Sequence, residues 1–330
     1  MMTSKEIVLR AIERRDPPRL PICYFNRNFD CSDTLAIGYQ PADDFTPAGE
    51  HATEWGYVWE RLDGTMGQPS HLPLEDWSRI DGYPSPDPFA PGRFAGMREW
   101  AAANADSFLK FSLGITGFNQ ATFLRGFAPF LMDLYTDPDR AGRVLDLVFD
   151  FENGMIAQAI ALPVDAIVFG DDWGTQQGLI IDPALWRQVF RPRYAEQFAR
   201  IRQAGKKVWF HTCGNVYPIT GDLIDIGVDV LELLQPDLLG IDQLARDFGG
   251  HVCFCCAIDH QRLAISGTRD EIHTYARHLT RALGAHHGGF IAYIEDYACL
   301  GMSERNYQWI REAFHGINGE TPHGIPLRQR

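Results

Sequence analysis

Long apolar runs are missing from this chain of 330 residues. No stretch reaches the roughly 18 consecutive apolar residues that a membrane-spanning helix needs, so the sequence predicts no membrane segment. The N-terminus, MMTSKEIVLRAIERRDPP, mixes acids and bases at helical spacing and lacks the apolar centre of a secretory signal peptide. We therefore expect a cytoplasmic protein.

Basic residues are scarce relative to acidic ones. The chain holds 30 Lys and Arg against 43 Asp and Glu, which makes a formal net charge of −13. A surface this acidic repels a phosphate backbone, so we expect no nucleic-acid partner. The glycine-rich phosphate loops G-x-G-x-x-G and G-x-x-x-x-G-K-[ST] are also missing, which argues against a nucleotide-binding sheet.

Alternating strand and helix patterns are present from about residue 108 onward. Apolar segments predict strands at 108–117, 165–172, 206–214, 229–236, 251–259 and 289–297. Helical periodicity predicts helices at 138–160, 183–204, 216–226, 240–247, 268–284 and 303–314. Strands that alternate with helices predict a parallel sheet. Because polar residues gather after the strands, where barrel active sites lie, the pattern favours a (β/α)8 TIM barrel over a doubly wound sheet.

The first 100 residues have weaker periodicity. They predict a helix over 3–15 that ends before Pro17 and Pro18, and a hairpin over 55–69 around Asp63-Gly64. The stretch from 30 to 100 is rich in Pro, Gly, Trp and Asp and predicts an irregular segment that covers one barrel end. We expect a single domain over 1–330, with residues 1–100 as its N-terminal extension.

Histidine and cysteine lie close together after the strand KKVWF. His211 and Cys213 are two residues apart on an extended segment, so their side chains point the same way, and imidazole with thiolate suits zinc. Cys299, after the last predicted strand, is the candidate third ligand. Cys255 or Cys256 is the alternative, and only one of these two neighbours can face the barrel interior. The seven cysteines have no disulfide-framework spacing.

An acidic pair follows another strand. Asp171 and Asp172 should point to opposite faces, so one of them could act as acid, base or substrate anchor, and loop bracing is the structural alternative. Glu232 is a third candidate catalytic residue. The candidate cofactor-binding residues at the strand ends are Asn215, Gln235 and Asp259.

Several segments resemble the uroporphyrinogen decarboxylase superfamily. They are LRGFAPFLMDLY (124–135), DAIVFGDDWGTQQGLIIDPALWRQVFRPR (165–193), KKVWFHTCGNVYPITGDLIDIGVDVLELLQP (206–236) and CCAIDHQ (255–261). The resemblance covers roughly residues 105–315, and it implies a (β/α)8 barrel with an extended N-terminal segment.

The branch within this superfamily follows from two motifs. Decarboxylases bind porphyrinogen through arginines in an early glycine loop, whereas CYFNRNFDCSD (23–33) has only Arg27 and no glycine. The methyltransferase branch carries H-x-C and a later cysteine, so the resemblance implies His211, Cys213 and Cys299 as zinc ligands. The run YACLGMSERN around Cys299 lacks the preceding glycine and following prolines of the family.

The resemblance implies methyl transfer between a small methylated substrate, such as an aryl methyl ether, or a thiol acceptor, and a corrinoid. The chain has no D-x-H-x-x-G motif, so a small corrinoid protein would supply that cofactor. A homodimer is left open. One alternative is a metal-independent lyase acting on a carboxylated or tetrapyrrole substrate, with an Asp of GDDWG and Arg27 or Arg125. Another is a non-catalytic corrinoid- or tetrapyrrole-binding module.

Overall fold

The computed structural model describes residues 2–25, 27–61, 67–295 and 301–320. Two features expected from the sequence, the ligand Cys299 and the turn at Asp63-Gly64, lie outside these ranges. No helix within them is long and apolar enough to cross a membrane.

The strands within the described ranges are β1 Ile22–Phe25, β2 Thr34–Gly38, β3 Val58–Glu60, β4 Gln68–Ser70, β5 Phe108–Ile115, β6 Ala166–Gly170, β7 Lys207–Thr212, β8 Val230–Leu233, β9 Cys253–Cys256 and β10 Phe290–Glu295. The α-helices are α1 Ser4–Ile12, α2 Met97–Ala103, α3 Gly117–Arg125, α4 Phe127–Thr136, α5 Pro138–Ala159, α6 Pro183–Val189, α7 Arg191–Gln203, α8 Tyr217–Asp225, α9 Ile241–Phe248, α10 Leu263–Ser266, α11 Arg269–Leu283 and α12 Glu304–Ile317.

Eight parallel strands form one sheet in the order β1-β10-β9-β8-β7-β6-β5-β2. Neighbours in this order are consecutive along the chain from β5 to β10, with helices between them, which is the nearly closed α/β barrel predicted from the sequence. Outside it, β3 and β4 pair antiparallel, with Val58 opposite Ser70, so the two strands of the predicted hairpin are confirmed.

The chain divides into two compact units. The first comprises residues 1–35, 106–108 and 229–330, and the second comprises 36–105 and 109–228. In the first unit, β8 pairs with β9 so that Glu232 is level with Cys255. In the second unit, β6 pairs with β7 so that Gly170 is level with His211. The single domain expected over 1–330 stays a prediction.

Helix ends follow local chemistry. Thr3 and Glu6 form a capping box at the start of α1, and Asp137 caps α5 with Pro138 in its first turn. The predicted helix over 183–204 is two helices, α6 and α7. Pro192 explains the break, because proline has no N–H for an intrahelical bond and is tolerated only in the first turn, where it stands in α7.

The sequence also missed elements. Helices α3 and α4 were not predicted, because Gly126 and Pro129 interrupt the segment and its apolar residues do not form one clear helical face. The stretch expected to be irregular contains β2 and α2. In the same stretch, Arg93 is 1% exposed, and its Nη1 lies 2.8 Å from a carboxylate oxygen of Glu54.

Candidate functional site

The candidate site lies in the second unit, where β6 and β7 end side by side. Beyond the last strand pair, the main-chain N–H of Asp171 donates to the carbonyl of His211 over 3.1 Å. Farther along, the N–H of Gly174 donates to the carbonyl of Cys213 over 3.0 Å. The two loops that follow the strands therefore continue the sheet ladder for several residues.

Two glycines allow these loops to touch. A Cβ atom built on Gly174 would lie 2.5 Å from the nitrogen of Asn215 and 2.5 Å from the carbonyl carbon of Gly214. Gly214 itself has a φ of +77°, and its Cβ would lie 2.2 Å from the carbonyl carbon of Gly174. No side chain fits at either place, so glycine is required at both for this approach.

Three potential metal ligands meet at this junction. His211 Nε2 lies 3.6 Å from Cys213 Sγ and 3.6 Å from Asp172 Oδ1. Asp172 Oδ1 also accepts a hydrogen bond from the main-chain N–H of Cys213 over 2.8 Å. Within the residues that the structure describes, this is the group of three His, Cys, Asp or Glu ligand atoms that lie within 4.8 Å of one another.

The spacing of these atoms fits zinc. Two donor atoms that each lie about 2.0–2.3 Å from a tetrahedral ion are separated by roughly 3.3–3.8 Å. Both separations measured from His211 Nε2 are 3.6 Å and fall inside that interval. Nitrogen, sulfur and carboxylate oxygen are all zinc donors in proteins, so the residues present suit this ion.

The cluster is accessible to solvent. The side chains of His211 and Asp172 are 23% and 42% exposed. Burial raises the pKa of the Cys213 thiol, His211 opposes that shift, and Asp172 adds to it. Burial thus favours the protonated thiol, and a bound metal ion would favour the thiolate.

Asp171 lies on the opposite side of the same chain segment and is fully buried. Its carboxylate accepts hydrogen bonds from the main-chain N–H groups of Phe118, over 3.0 Å, and Asn119, over 2.8 Å. The hydroxyl of Tyr194 donates to it as well. The adjacent aspartates thus face opposite ways, and for Asp171 the contacts are those of a brace for the start of α3.

A second buried carboxylate supports the same helix start. Glu152 accepts from the N–H of Gly117 over 2.7 Å and from the amide of Gln197 over 2.8 Å. Burial raises the pKa of Glu152 to about 7 and that of Asp171 well above its usual range. Both carboxyl groups therefore favour their protonated forms more than exposed acids do.

The other predicted site residues are placed as follows. Asn215 accepts from the N–H of Tyr217 over 3.2 Å at the start of α8. Glu232, Gln235 and Asp259 belong to the first unit: Glu232 is buried on β8, Gln235 precedes a short 3-10 helix, and Asp259 accepts from the N–H of Gln261 over 3.1 Å.

The cysteines considered as alternative ligands are both in β9. Cys255 and Cys256 are fully buried, and burial raises the pKa of Cys256 well above its usual range. Neither belongs to the three-residue cluster found among the described residues. Burial of this kind is common for cysteines that are not metal ligands.

The arginines considered for substrate carboxylates are engaged. Arg27 forms an ion pair with Glu304 at 2.9 Å and stacks over the ring of Tyr307 at 3.6 Å. Arg125 pairs with Asp133 at 2.7 Å. The lyase alternative would need one of these pairs to break.

The sequence indicated Asp172 as a candidate acid or base and did not identify it as a candidate metal ligand. The signal lay in two neighbouring strands, since D-D and H-x-C both follow strands that are consecutive in the chain.

A cavity of about 630 Å³ in the first unit, lined by residues such as Asp237, Tyr275 and His278, includes no predicted site residue.

Known proteins resemble this chain in sequence pattern and in fold. A sequence model of the uroporphyrinogen decarboxylase (URO-D) family matches residues 115–316. The solved structure of a methyltransferase from Methanosarcina mazei covers 96% of this chain and 100% of its own, with a TM-score of 0.70 and 13% identity. No curated protein sequence matches.

Two sugar epimerases are more distant. A D-psicose 3-epimerase solved with D-fructose covers 69% of this chain and 84% of its own, with a TM-score of 0.43 and 12% identity. The 3-keto-D-glucoside 4-epimerase YcjR from E. coli covers 68% and 84%, with a TM-score of 0.42 and 12% identity. At these identities a structural likeness concerns the fold alone.

Proposed function

We propose that this chain, which belongs to the uroporphyrinogen decarboxylase family, is a zinc-dependent methyltransferase. It would move a methyl group between a small methylated substrate, or a thiol, and a corrinoid held by a partner protein. The observation that carries this proposal is the meeting of Asp172, His211 and Cys213, whose ligand atoms lie within 4.8 Å of one another. A metal-independent lyase gives this donor set no task.

Asp172, His211 and Cys213 would hold the ion, with Cys299 as a further thiolate ligand on the strength of the family resemblance. Zinc bound there would favour the thiolate form of a sulfur ligand, and it would polarise a substrate heteroatom that joined these protein ligands. Both effects would assist methyl transfer to or from a sulfur or oxygen atom.

The side chains themselves set the charge and orientation of the site. His211 approaches both neighbours through Nε2, so the neutral ring must carry its proton on Nδ1 when Nε2 acts as a donor atom. Cys213 must release its proton, whereas Asp172 enters the site as a carboxylate. One thiolate, one carboxylate and a neutral imidazole together balance a divalent cation, and the thiolate of Cys299 would add one negative charge to the site.

We further propose an aryl methyl ether as the methylated substrate. An aromatic group lies in the same unit as the cluster: Trp59 of β3 packs on Phe123 of α3 with ring centroids 5.5 Å apart, and it is only half-buried. Half-exposed aromatic rings offer a flat apolar surface to a planar ligand. The corrinoid would come from a small partner protein, and we expect the reaction in the cytoplasm.

Metal analysis tests the zinc site. Protein purified without chelators should contain about one zinc per chain, and His211→Ala, Cys213→Ser and Cys299→Ser should each lose most of it. Cys256→Ser is the matched control, because it removes a buried thiol outside the cluster. Wild-type protein without zinc, or full zinc content in His211→Ala, would contradict the proposal.

Turnover tests the reaction class. Wild-type protein mixed with free methylcobalamin and a small alkyl thiol should demethylate the corrinoid, which is followed by its visible absorption. A panel of aryl methyl ethers with reduced cobalamin tests the opposite direction. The same rate in zinc-stripped and zinc-reloaded protein would exclude a zinc-dependent reaction.

A further inference from the structure

We propose that Asp171 is a positioning residue for Asp172, and that the hydroxyl of Tyr194 keeps the Asp171 carboxylate in place by a hydrogen bond. The inference rests on the proposed zinc site, and it gives Asp171 a different role from the catalytic one expected from the sequence. Asp171 is fully buried, so its carboxylate offers no surface to a substrate. Its neighbour Asp172 is 42% exposed and lies beside His211.

The main-chain N–H groups on both sides of Asp172 are hydrogen-bonded to the last two residues of β7, His211 and Thr212. Before it, the N–H of Asp171 donates to the carbonyl of His211 over 3.1 Å. After it, the N–H of Trp173 donates to the hydroxyl of Thr212 over 3.1 Å. These bonds fix the height of Asp172 relative to His211. Rotation of the segment about its own axis is limited by its side chains, of which that of Trp173 is fully buried.

The side chain of Asp171 restrains that rotation further. It accepts from the N–H groups of Phe118 and Asn119 at 3.0 and 2.8 Å, and from the hydroxyl of Tyr194. These partners belong to α3 and α7, whereas the main-chain bonds reach β7. The segment is therefore held from two directions, in the way that hydrogen-bonded groups behind the ligands hold them in known metal sites.

The junction around Asp171 has no spare room. A Cβ atom on Gly117 would lie 2.3 Å from the Tyr194 hydroxyl oxygen and 2.4 Å from Asp171 Oδ2. Tyr194 is fully buried, and its ring packs against aromatic neighbours, namely Phe149, Trp186, Phe198 and Phe210. The hydroxyl is thus a fixed point, and the carboxylate bound to it cannot rotate without moving the start of α3.

This arrangement predicts that zinc affinity depends on groups that never touch the ion. Asp172 lies between Asp171 and Trp173, and its side chain is half-exposed. Its Oδ1 atom lies near His211 Nε2 and accepts a hydrogen bond from the N–H of Cys213. Once Asp171 loses a partner, the segment can twist and carry the carboxylate away from the other two ligands. For part of the time, zinc would then be bound by the remaining ligands without Asp172, and its affinity would fall.

The test compares Tyr194→Phe and Asp171→Asn with Glu152→Gln, in full-length protein. Glu152 is the matched control because it braces the same helix start through Gly117 but does not belong to the ligand-bearing segment. Zinc alone is titrated against a chromophoric chelator, and cobalt(II) absorption reports the ligand geometry. We expect zinc binding about 10- to 100-fold weaker in the first two variants, with altered cobalt bands, and unchanged binding in Glu152→Gln.

Thermal unfolding of the metal-free proteins separates positioning from folding. If Asp171→Asn does not fold, Tyr194→Phe carries the test, since it removes only a hydroxyl. Zinc affinity and cobalt bands identical to wild type in Tyr194→Phe would overturn the inference. So would affinity losses that follow stability in all three variants, Glu152→Gln included. A wild-type protein that binds no zinc would instead refute the proposed function on which the inference rests.

Discussion

The main-chain N–H of Cys213 donates a hydrogen bond to Oδ1 of Asp172 over 2.8 Å. The main chain of one proposed metal ligand, Cys213, therefore orients the side chain of another, Asp172. Because His211 lies 3.6 Å from the same oxygen, the three donors are arranged before an ion binds. A preformed site loses less conformational entropy on binding than one that the ion must assemble.

Replacing Asp172 by Asn tests the charge of this ligand. Asn keeps an oxygen that can accept from Cys213 but removes the negative charge, so zinc affinity should fall at least about tenfold. Folding stability should change by less than about 1 kcal/mol, since the side chain is half-exposed. Competitive zinc titration measures the first and urea unfolding the second. Asp16→Asn, at a 78% exposed side chain remote in sequence, is the control, and equal zinc affinity in both variants would count against Asp172 as a ligand.

Replacing Gly174 by Ala tests the contact between the two loops. The added methyl group would meet the nitrogen of Asn215 at 2.5 Å, and main chain cannot move aside cheaply. We expect a loss of about 1–3 kcal/mol in the free energy of unfolding, together with weaker zinc binding. Gly178→Ala is the control in the same loop, because no atom lies within 4 Å of its Cβ position. Similar urea midpoints for the two variants would show that the close approach is not needed.

Burial of Glu152 makes stability depend on pH. Its pKa is raised from 4.5 to about 7 by burial, with Asp171 and Tyr194 as ionisable neighbours. The fold thus favours the protonated acid, so this contribution is complete below pH 4.5 and is lost as the pH rises through about 7.

Glu152→Gln should remove this dependence. Between about pH 5 and 8 the metal-free wild-type protein should lose up to about 3 kcal/mol more unfolding free energy than the variant. Urea unfolding at half-unit pH intervals, with chelator present, provides the comparison. Parallel pH curves for the two proteins would mean that Glu152 is ionised in the fold across this range.

The buried ion pair of the N-terminal segment should matter more than surface pairs. Arg93 and Glu54 have side chains that are 1% and 13% exposed, and removal of one partner leaves a buried charge unpaired. Arg93→Met should therefore cost about 3–5 kcal/mol. Arg143→Met, which breaks a pair with side chains 48% and 83% exposed, should cost about 1 kcal/mol or less. Equal costs by urea unfolding would contradict this assignment.

Strand and helix alternation made the barrel predictable, because each βα unit carries its own local pattern. Six predicted strands correspond to β5 through β10. The misses have physical reasons. Pro192 breaks a periodic segment into α6 and α7. Helix α3 buries the polar residues Gln120 and Thr122, and α4 exposes large apolar residues, so neither has the faces of an ordinary surface helix. A local pattern reports which residues prefer burial, and it does not report where a buried helix begins.

The site was predictable in part. H-x-C placed His211 and Cys213 on one side of one strand end, since alternation along a strand is a local property. The identity of the third donor depends on which strand lies beside β7, and only the pairing of Gly170 with His211 brings Asp172 to it. The ligand expected at Cys299 lies outside the described residues and stays a prediction.

By itself the sequence determined the class of fold, the family and one pair of candidate metal ligands, because periodicity and short motifs are properties of contiguous residues. Tertiary structure alone decided that Asp172 faces those donors while Asp171 turns away into α3 and Tyr194. Two adjacent aspartates have the same chemistry in a sequence. They differ only in the residues that surround each side chain, and contacts between segments distant in the sequence determine those surroundings.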